Sequence, residues 1–165
     1  MRARLRDLIN MNSAHSVLLA SHGTEGALAA EQMALKLCDV GSQLHHLIVV
    51  PTLWKGMTGD DWLNNGSTRD TFRRYLEGEL SREVDEHISR VSQAAGEHEL
   101  EYCSEVIIGE PNECLLDASK KEGIDLIIVG SPRPKGKKGL RSRMLTDLIT
   151  RNISVPVLIV PYPCD

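Results

Sequence analysis

The stretch GEPNECLLDASKKEGIDLIIVGS, residues 109–131, holds a helix, a turn and a buried strand in immediate succession. Pro111 suits the first turn of a helix, because the N–H that proline lacks would have no intrahelical partner there. Gly123 is placed to close that helix, since glycine readily adopts the left-handed backbone that ends helices. The run IDLIIV (124–129) is almost continuously apolar, which is typical of a strand covered on both faces. We therefore predict a helix that leads into a central strand of a parallel sheet.

Four further apolar runs surround this unit: SVLLAS (16–21), LHHLIVV (44–50), LEYCSEVII (100–108) and VPVLIVP (155–161). Other helical patterns lie between the runs, at residues 25–41, 78–96 and 140–152. Strands that alternate with helices need crossover connections, and right-handed crossovers place helices on both faces of a parallel sheet. The run at 100–108 alternates more than the others, which favours an edge strand. The pattern predicts an α/β fold with an open, five-stranded, Rossmann-like sheet.

Length and charge favour one domain with one local anion site. The chain has 165 residues, enough for a single domain (1–165) with a real core. Its net charge is −4, yet residues 133–143 carry six cations and no acid, so the rest sums to −10. That asymmetry argues against nucleic acid as a partner of the whole surface. We expect no nucleic-acid partner.

Cysteine and histidine spacing predicts no metal site. The four cysteines show no C-x-x-C pair, which favours free thiols in a reducing compartment: Cys38, Cys103, Cys114 and Cys164. Six histidines form no ligand motif, and His45 and His46, adjacent on a predicted strand, must point to opposite faces.

Neither a signal peptide nor a membrane-length apolar segment is recognisable, so we expect a cytoplasmic protein that does not contact membranes.

Two segments do not fit the alternation of strands and helices. Residues 1–14 read as an N-terminal extension, and residues 51–77 as an insertion after the second strand. The insertion holds both tryptophans and the only phenylalanine, and loops longer than ~12–15 residues tend to be functional or mobile. It is either a lid or partner surface, or a variable insertion whose aromatic residues cover a small satellite core.

Three segments, in this order and spacing, resemble the universal stress protein family. They are the opening SVLLASHGTEGALAAEQMALKLC (16–38), the central GEPNECLLDASKKEGIDLIIVGS (109–131) and the tail VPVLIVPYP (155–163). The resemblance implies strand order 3-2-1-4-5 and a homodimer in which the last strands pair. An apolar edge strand also favours pairing on physical grounds, which places the dimer contact at Val155–Val160.

One branch of that family binds ATP through an aspartate after the first strand and a glycine motif after the fourth. The motif reads Gly, two residues, Gly, nine residues, then Gly-Ser or Gly-Thr. Here Gly130 and Ser131 match, but Arg133 stands at the second glycine and Arg143-Met144 at the closing pair. His22 takes the place of the aspartate. The chain therefore resembles the branch whose ATP motif is degenerate.

The cations of residues 133–143 leave two interpretations open. Arginine side chains occupy positions where bare backbone would approach a phosphate, which favours a solvated or partner-facing basic loop. Arginine also binds phosphate well, so the loop could hold an anion by side chains instead. In that case the candidate site for ATP or AMP is Gly130, Ser131, Arg133 and Arg143, with His22 and Val50 beside the base and ribose.

We therefore expect a non-enzymatic stress-response protein that acts through dimerisation and protein contacts, without a cofactor. The alternative is a regulatory switch that binds a nucleotide through the loop from Gly130 to Arg143. Slow ATP hydrolysis would need a metal-holding acid that the sequence does not place. Ser21 beside His22 is no evidence of a nucleophile, because neighbouring side chains need not face each other and the G-x-S-x-G elbow is missing.

Overall fold

Five parallel strands form one sheet in the order β3-β2-β1-β4-β5. The structure, a computed structural model, describes residues 14–21, 24–50, 66–136 and 151–163, with the backbone alone for 66–77. The strands are β1 (Ala14–Ala20), β2 (Cys38–Val50), β3 (Glu101–Ile108), β4 (Leu126–Gly130) and β5 (Val157–Val160). The helices are α1 (Glu25–Leu37), α2 (Gly66–Glu97) and α3 (Pro111–Ser119). The predicted fold class and strand order are confirmed.

Alternate residues of the central strands enter two separate cores. Val17 and Leu19 of β1 pack with α1 and with Val91 of α2 on one face of the sheet. Leu18 of β1 packs with Leu115 of α3 on the other face. Because both faces of β1 and β4 are covered by helices or loops, neither strand can carry polar residues at alternate positions. This explains the continuous apolar runs in the sequence.

Helix α1 begins as expected but ends earlier than the sequence pattern predicts. Thr24 is its N-cap, with a side-chain oxygen that accepts from the N–H of Ala27 at 3.2 Å. The predicted end near Gly41 is wrong, because the backbone is already extended at Cys38, which pairs with Ala14 of β1. Gly41 instead lies within β2 at φ 82°, near the point where the β1–β2 register shifts.

Parts of the predicted insertion and termini lie outside the described residues. Residues 66–77 are helical and form the first turns of α2, so this helix starts well before the predicted residue 78. Residues 1–13, 51–65 and 137–150 lie outside the described residues. These ranges contain most of the predicted N-terminal extension, both tryptophans and most of the last predicted helix. The division into extension, insertion and single domain stays a prediction.

The start of α1 lies directly against the end of β4. A Cβ built on Gly130 would be 2.1 Å from the carbonyl oxygen of Gly26, and one built on Gly26 would be 2.3 Å from the carbonyl oxygen of Ser131. Both distances are far inside van der Waals contact, and the opposing atoms belong to backbone that cannot rotate away. Glycine is therefore required at both positions by close approach.

We expect Gly130→Ala to lower the free energy of unfolding by about 1–3 kcal/mol or more, the usual cost of overpacking a well-filled interior. The matched control is Gly78→Ala on α2, where an added Cβ meets nothing within 4 Å of the described atoms. That change should stabilise the helix by about 0.5–1 kcal/mol, because alanine has the higher helix propensity. Urea unfolding followed by circular dichroism measures both, and an unchanged midpoint for Gly130→Ala would contradict the close approach.

Candidate functional site

The residues predicted to bind a nucleotide, where the structure describes them, lie together at one end of the strands. Gly130 ends β4, Ser131 follows it, and Val50 ends β2, so all three lie at the carboxyl ends of parallel strands. Arg133 is half-buried just beyond Ser131. Open α/β sheets bind ligands at the carboxyl ends of their strands, at the point where strand order reverses, which here lies between β1 and β4. His22 and Arg143 lie outside the described residues.

The turn after β4 offers few backbone donors to a phosphate. The N–H of Ser131 donates to the carbonyl of Val160 at 2.8 Å and so belongs to the sheet. Pro132 and Pro134 have no N–H. Of residues 131–134, Arg133 is therefore the only one that has a backbone N–H not bonded to β5. The prolines are visible in the sequence, but their effect becomes clear only once Ser131 is seen to bond to β5.

A second set of polar side chains lies near these strand ends, between the sheet and the helices α1 and α2. We call it the Ser21 cluster, and its members are Ser21, Glu31, His46, His87, Arg90 and Tyr102. Ser21 follows β1 and is 2% exposed, while Glu31 on α1 is 3% exposed and His46 on β2 is 1% exposed. The cluster therefore joins five elements of the fold through a buried centre of Ser21, Glu31 and His46, with Arg90 half-exposed at its margin.

The hydrogen bonds of the Ser21 hydroxyl are complete. Its Oγ donates to Glu31 Oε1 at 2.8 Å and lies 2.9 Å from His46 Nε2 and 2.7 Å from His87 Nε2. A hydroxyl has one hydrogen and two lone pairs, so once it donates to the carboxylate it accepts from both imidazoles. Ser21 thus uses its full bonding capacity inside the protein.

The outer nitrogens of the two histidines fix their tautomers. Arg90 Nη2 lies 3.1 Å from His87 Nδ1, and a guanidinium can only donate, so Nδ1 accepts and Nε2 carries the hydrogen. Tyr102 Oη lies 2.8 Å from His46 Nδ1 and donates to it, because His46 already donates from Nε2. One consistent set of hydrogen positions therefore satisfies both rings.

Burial and these contacts shift three pKa values. For Glu31, desolvation is the largest single effect and raises the pKa, but the close contacts with His87, Arg90 and Ser21 together lower it to about 2. Burial lowers the pKa of His46 to about 4, helped by the nearby His87. Burial also raises the pKa of Tyr102 to about 12. At neutral pH Glu31 is therefore ionised, while His46 and Tyr102 are neutral.

The Ser21 cluster is not arranged as a hydrolase triad. In a triad the acid accepts from the Nδ1 hydrogen of the histidine, and the serine hydroxyl donates to Nε2. Here the Nδ1 atoms accept from Arg90 and Tyr102, and Ser21 donates to the carboxylate itself. A substrate could not reach a hydroxyl that is 2% exposed without rearrangement. The geometry argues against Ser21 as a nucleophile.

No sequence motif indicates this cluster, because its members are separated by up to 81 positions, from Ser21 to Tyr102. The expectation that His45 and His46 face opposite ways is correct, since the His45 ring meets Cys103 Sγ at 2.9 Å while His46 is buried among the cluster. One local signal was available. Glu31 stands between Ala27 and Ala34 on the buried face of α1, where an unpaired charge would be costly.

We expect Tyr102→Phe to lower the free energy of unfolding by about 1–3 kcal/mol, because His46 Nδ1 loses its donor in a site sheltered from water. For a chain of this length that corresponds to a fall of about 2–4 °C per kcal/mol in Tm. Gln43→Met is the matched control on the same pair of strands, since it removes an exposed hydrogen bond to Glu101. Equal Tm values for both variants would show that the Tyr102 contact contributes nothing.

The universal stress protein family model matches residues 14–161. A structure of hypothetical protein MJ0577 superposes with TM-score 0.70 at 17% identity, covering 94% of this chain and 99% of that one. No curated protein matches the sequence.

Two further structures carry the family name. UspA from Lactobacillus plantarum has TM-score 0.61 at 17% identity, covering 90% of this chain and 98% of that one. A family protein from Arabidopsis thaliana with AMP bound has TM-score 0.63 at 13% identity, covering 91% and 93%. Within the described residues, no helix is both long and apolar enough to cross a membrane. The match over residues 14–161, on a sheet of the expected order, shows that this chain belongs to the universal stress protein family.

Proposed function

We propose that the protein is a non-enzymatic stress-response protein that works through dimerisation and protein contacts, with a phosphate-binding turn that no longer holds ATP. The observation that carries this proposal is the donor-poor turn after β4. Glycine-rich turns hold phosphates with successive backbone N–H groups, and such groups need open space above them. Residues 131–134 offer at most one such amide, because two of them are prolines and Ser131 donates to β5, and the remaining residue, Arg133, has a bulky side chain.

The β5 edge of the sheet supports the dimer. Ile127 N–H donates to the carbonyl of Pro156, and Ser131 N–H donates to that of Val160. Alternation along a strand then turns the backbone groups of Val157 and Ile159 away from β4, to the side on which the sheet of the described residues ends. The segment VLIV carries no charge, and its three leading side chains are only partly buried. An uncharged apolar edge is suited to pairing with a second copy.

The opposite edge of the sheet is less suited to pairing. Strand β3 carries Glu101 and Glu105, and Glu105 pairs with Lys121 on the surface. Charged side chains on an edge strand discourage pairing with another chain. A homodimer through Val155–Val160 therefore agrees better with the charge distribution than one through β3.

Nucleotide binding is the second candidate function. Its support is the fold shared with an Arabidopsis thaliana family protein that has AMP bound, together with the basic segment that follows Ser131. In this alternative, Arg133 and Arg143 would hold the phosphate of ATP or AMP by their side chains, with Gly130 and Ser131 below and Val50 and His22 beside the nucleoside. The protein would then act as a regulatory switch.

We expect millimolar Mg–ATP or AMP to leave the Tm of the purified protein unchanged. A ligand present at 100 times its Kd would add about 2.7 kcal/mol to the free energy of unfolding, so even weak binding would be visible. Arg133→Ala is the matched variant. A rise in Tm that Arg133→Ala abolishes would overturn the proposal in favour of the switch, and a rise that survives the substitution would also contradict it.

We expect the wild-type protein to be a dimer in light scattering after size-exclusion chromatography, and Val157→Lys to be a monomer with an unchanged circular dichroism spectrum. A lysine at the edge adds a charge that two paired β5 strands would bring together. Val106→Lys is the control, because Val106 is a 45%-exposed valine on the opposite edge strand. A monomeric wild type, or dissociation by Val106→Lys, would count against the β5 interface.

A further inference from the structure

We propose that Glu31, His46 and His87 form a binding site for a divalent transition-metal ion such as Zn²⁺. One ligand atom from each of the three side chains lies within 4.8 Å of the other two. Two imidazoles and a carboxylate are a donor set that Zn²⁺ favours, with the fourth position left for water or a hydroxyl. This inference goes beyond the proposed function and does not rest on it.

The three ligands already converge on one point, which the Ser21 hydroxyl marks. Its oxygen lies 2.8 Å from Glu31 Oε1, 2.9 Å from His46 Nε2 and 2.7 Å from His87 Nε2. Zn²⁺ binds nitrogen and oxygen at about 2.0–2.2 Å, so each ligand atom would move by less than about 1 Å. The Ser21 side chain would rotate away from this point or serve as the fourth ligand.

The scaffold holds the ligands from three different elements, α1, β2 and α2. His46 also has the outer partner that metal-bound histidines commonly have, since Tyr102 Oη lies 2.8 Å from its Nδ1. If Nε2 gives its lone pair to a metal, the ring hydrogen moves to Nδ1, and the tyrosine oxygen can accept from it. The same contact therefore suits both tautomers of His46.

Arg90 is the cation that a metal would displace. Its Nη1 lies 2.7 Å from Glu31 Oε2, yet that buried oxygen accepts no well-aligned hydrogen bond from the described residues. The Arg90 side chain is 50% exposed, so it can turn into solvent without opening the core. Its departure also frees His87 Nδ1 to take the hydrogen from Nε2, which makes the Nε2 lone pair available. Arg90 and the metal thus compete for Glu31 and His87.

The test uses the full chain, dialysed against a chelator and then titrated with Zn²⁺ alone and with Co²⁺ alone. The background variant combines His45→Ala with Cys103→Ser, because that nitrogen–sulfur pair on the opposite face of the sheet could bind metal by itself. Competition with a chromophoric chelator gives the Zn²⁺ affinity, and the visible absorption of Co²⁺ reports its coordination geometry. We expect one equivalent of either ion to bind to the background variant.

Three substitutions in this background assign the site. His87→Gln and Glu31→Gln should each weaken Zn²⁺ binding by about 10–100-fold or more. Loss of a residue that only supports a ligand already weakens metal binding by that factor, and these two residues would be ligands themselves. Arg90→Gln should tighten binding, because it removes the competing cation. His98→Gln is the matched control, since His98 lies exposed in the turn after α2 and should leave the affinity unchanged.

The proposal is overturned if the background variant binds no metal, if His87→Gln binds as tightly as the background, or if Arg90→Gln weakens binding. Circular dichroism and Tm establish that each variant is folded. Should Glu31→Gln fail to fold, His87→Gln decides the question, because the His87 side chain lies at the margin of the cluster and is 11% exposed.

Discussion

The close backbone contact between Gly26 and Gly130 sets the geometry of the candidate nucleotide site at the carboxyl ends of the strands. It brings the first turn of α1 against the last residue of β4, closer than any side chain would allow. Ser131 is held as a result, with its carbonyl against α1 and its N–H bonded to β5. The direction in which the following prolines and Arg133 leave the sheet follows from that constraint.

The same contact fixes the helical phase of α1. Glu31 lies five residues after Gly26, and with the first turn held against β4 its carboxylate faces Ser21 and His87. A carboxylate in that position is costly unless it is paired and hydrogen-bonded. Burial raises the pKa of Glu31, but its contacts with His87, Arg90 and Ser21 outweigh burial and lower it. The turn after β4 and the Ser21 cluster therefore both depend on the packing of α1 against β4.

The fold could be predicted because the spacing of apolar residues along the chain indicates strands and helices. The sites could not, because they depend on contacts between residues far apart in the sequence. Continuous apolar runs predict the central strands, and the resemblance supplied their order. The end of α1 was mispredicted because a glycine with positive φ serves a helix end and a strand irregularity equally well, and at Gly41 it serves the second. The partners of Ser21 were not predictable, since no spacing rule joins it to His46 and His87.

Whether the turn after β4 holds a nucleotide can be measured by NMR on ¹⁵N-labelled protein titrated with AMP and with Mg–ATP. The amide signals of Gly26, Gly130 and Ser131 report on that turn without depending on a change in stability. We expect these signals to stay in place up to millimolar nucleotide. Saturable shifts confined to these amides would contradict this expectation.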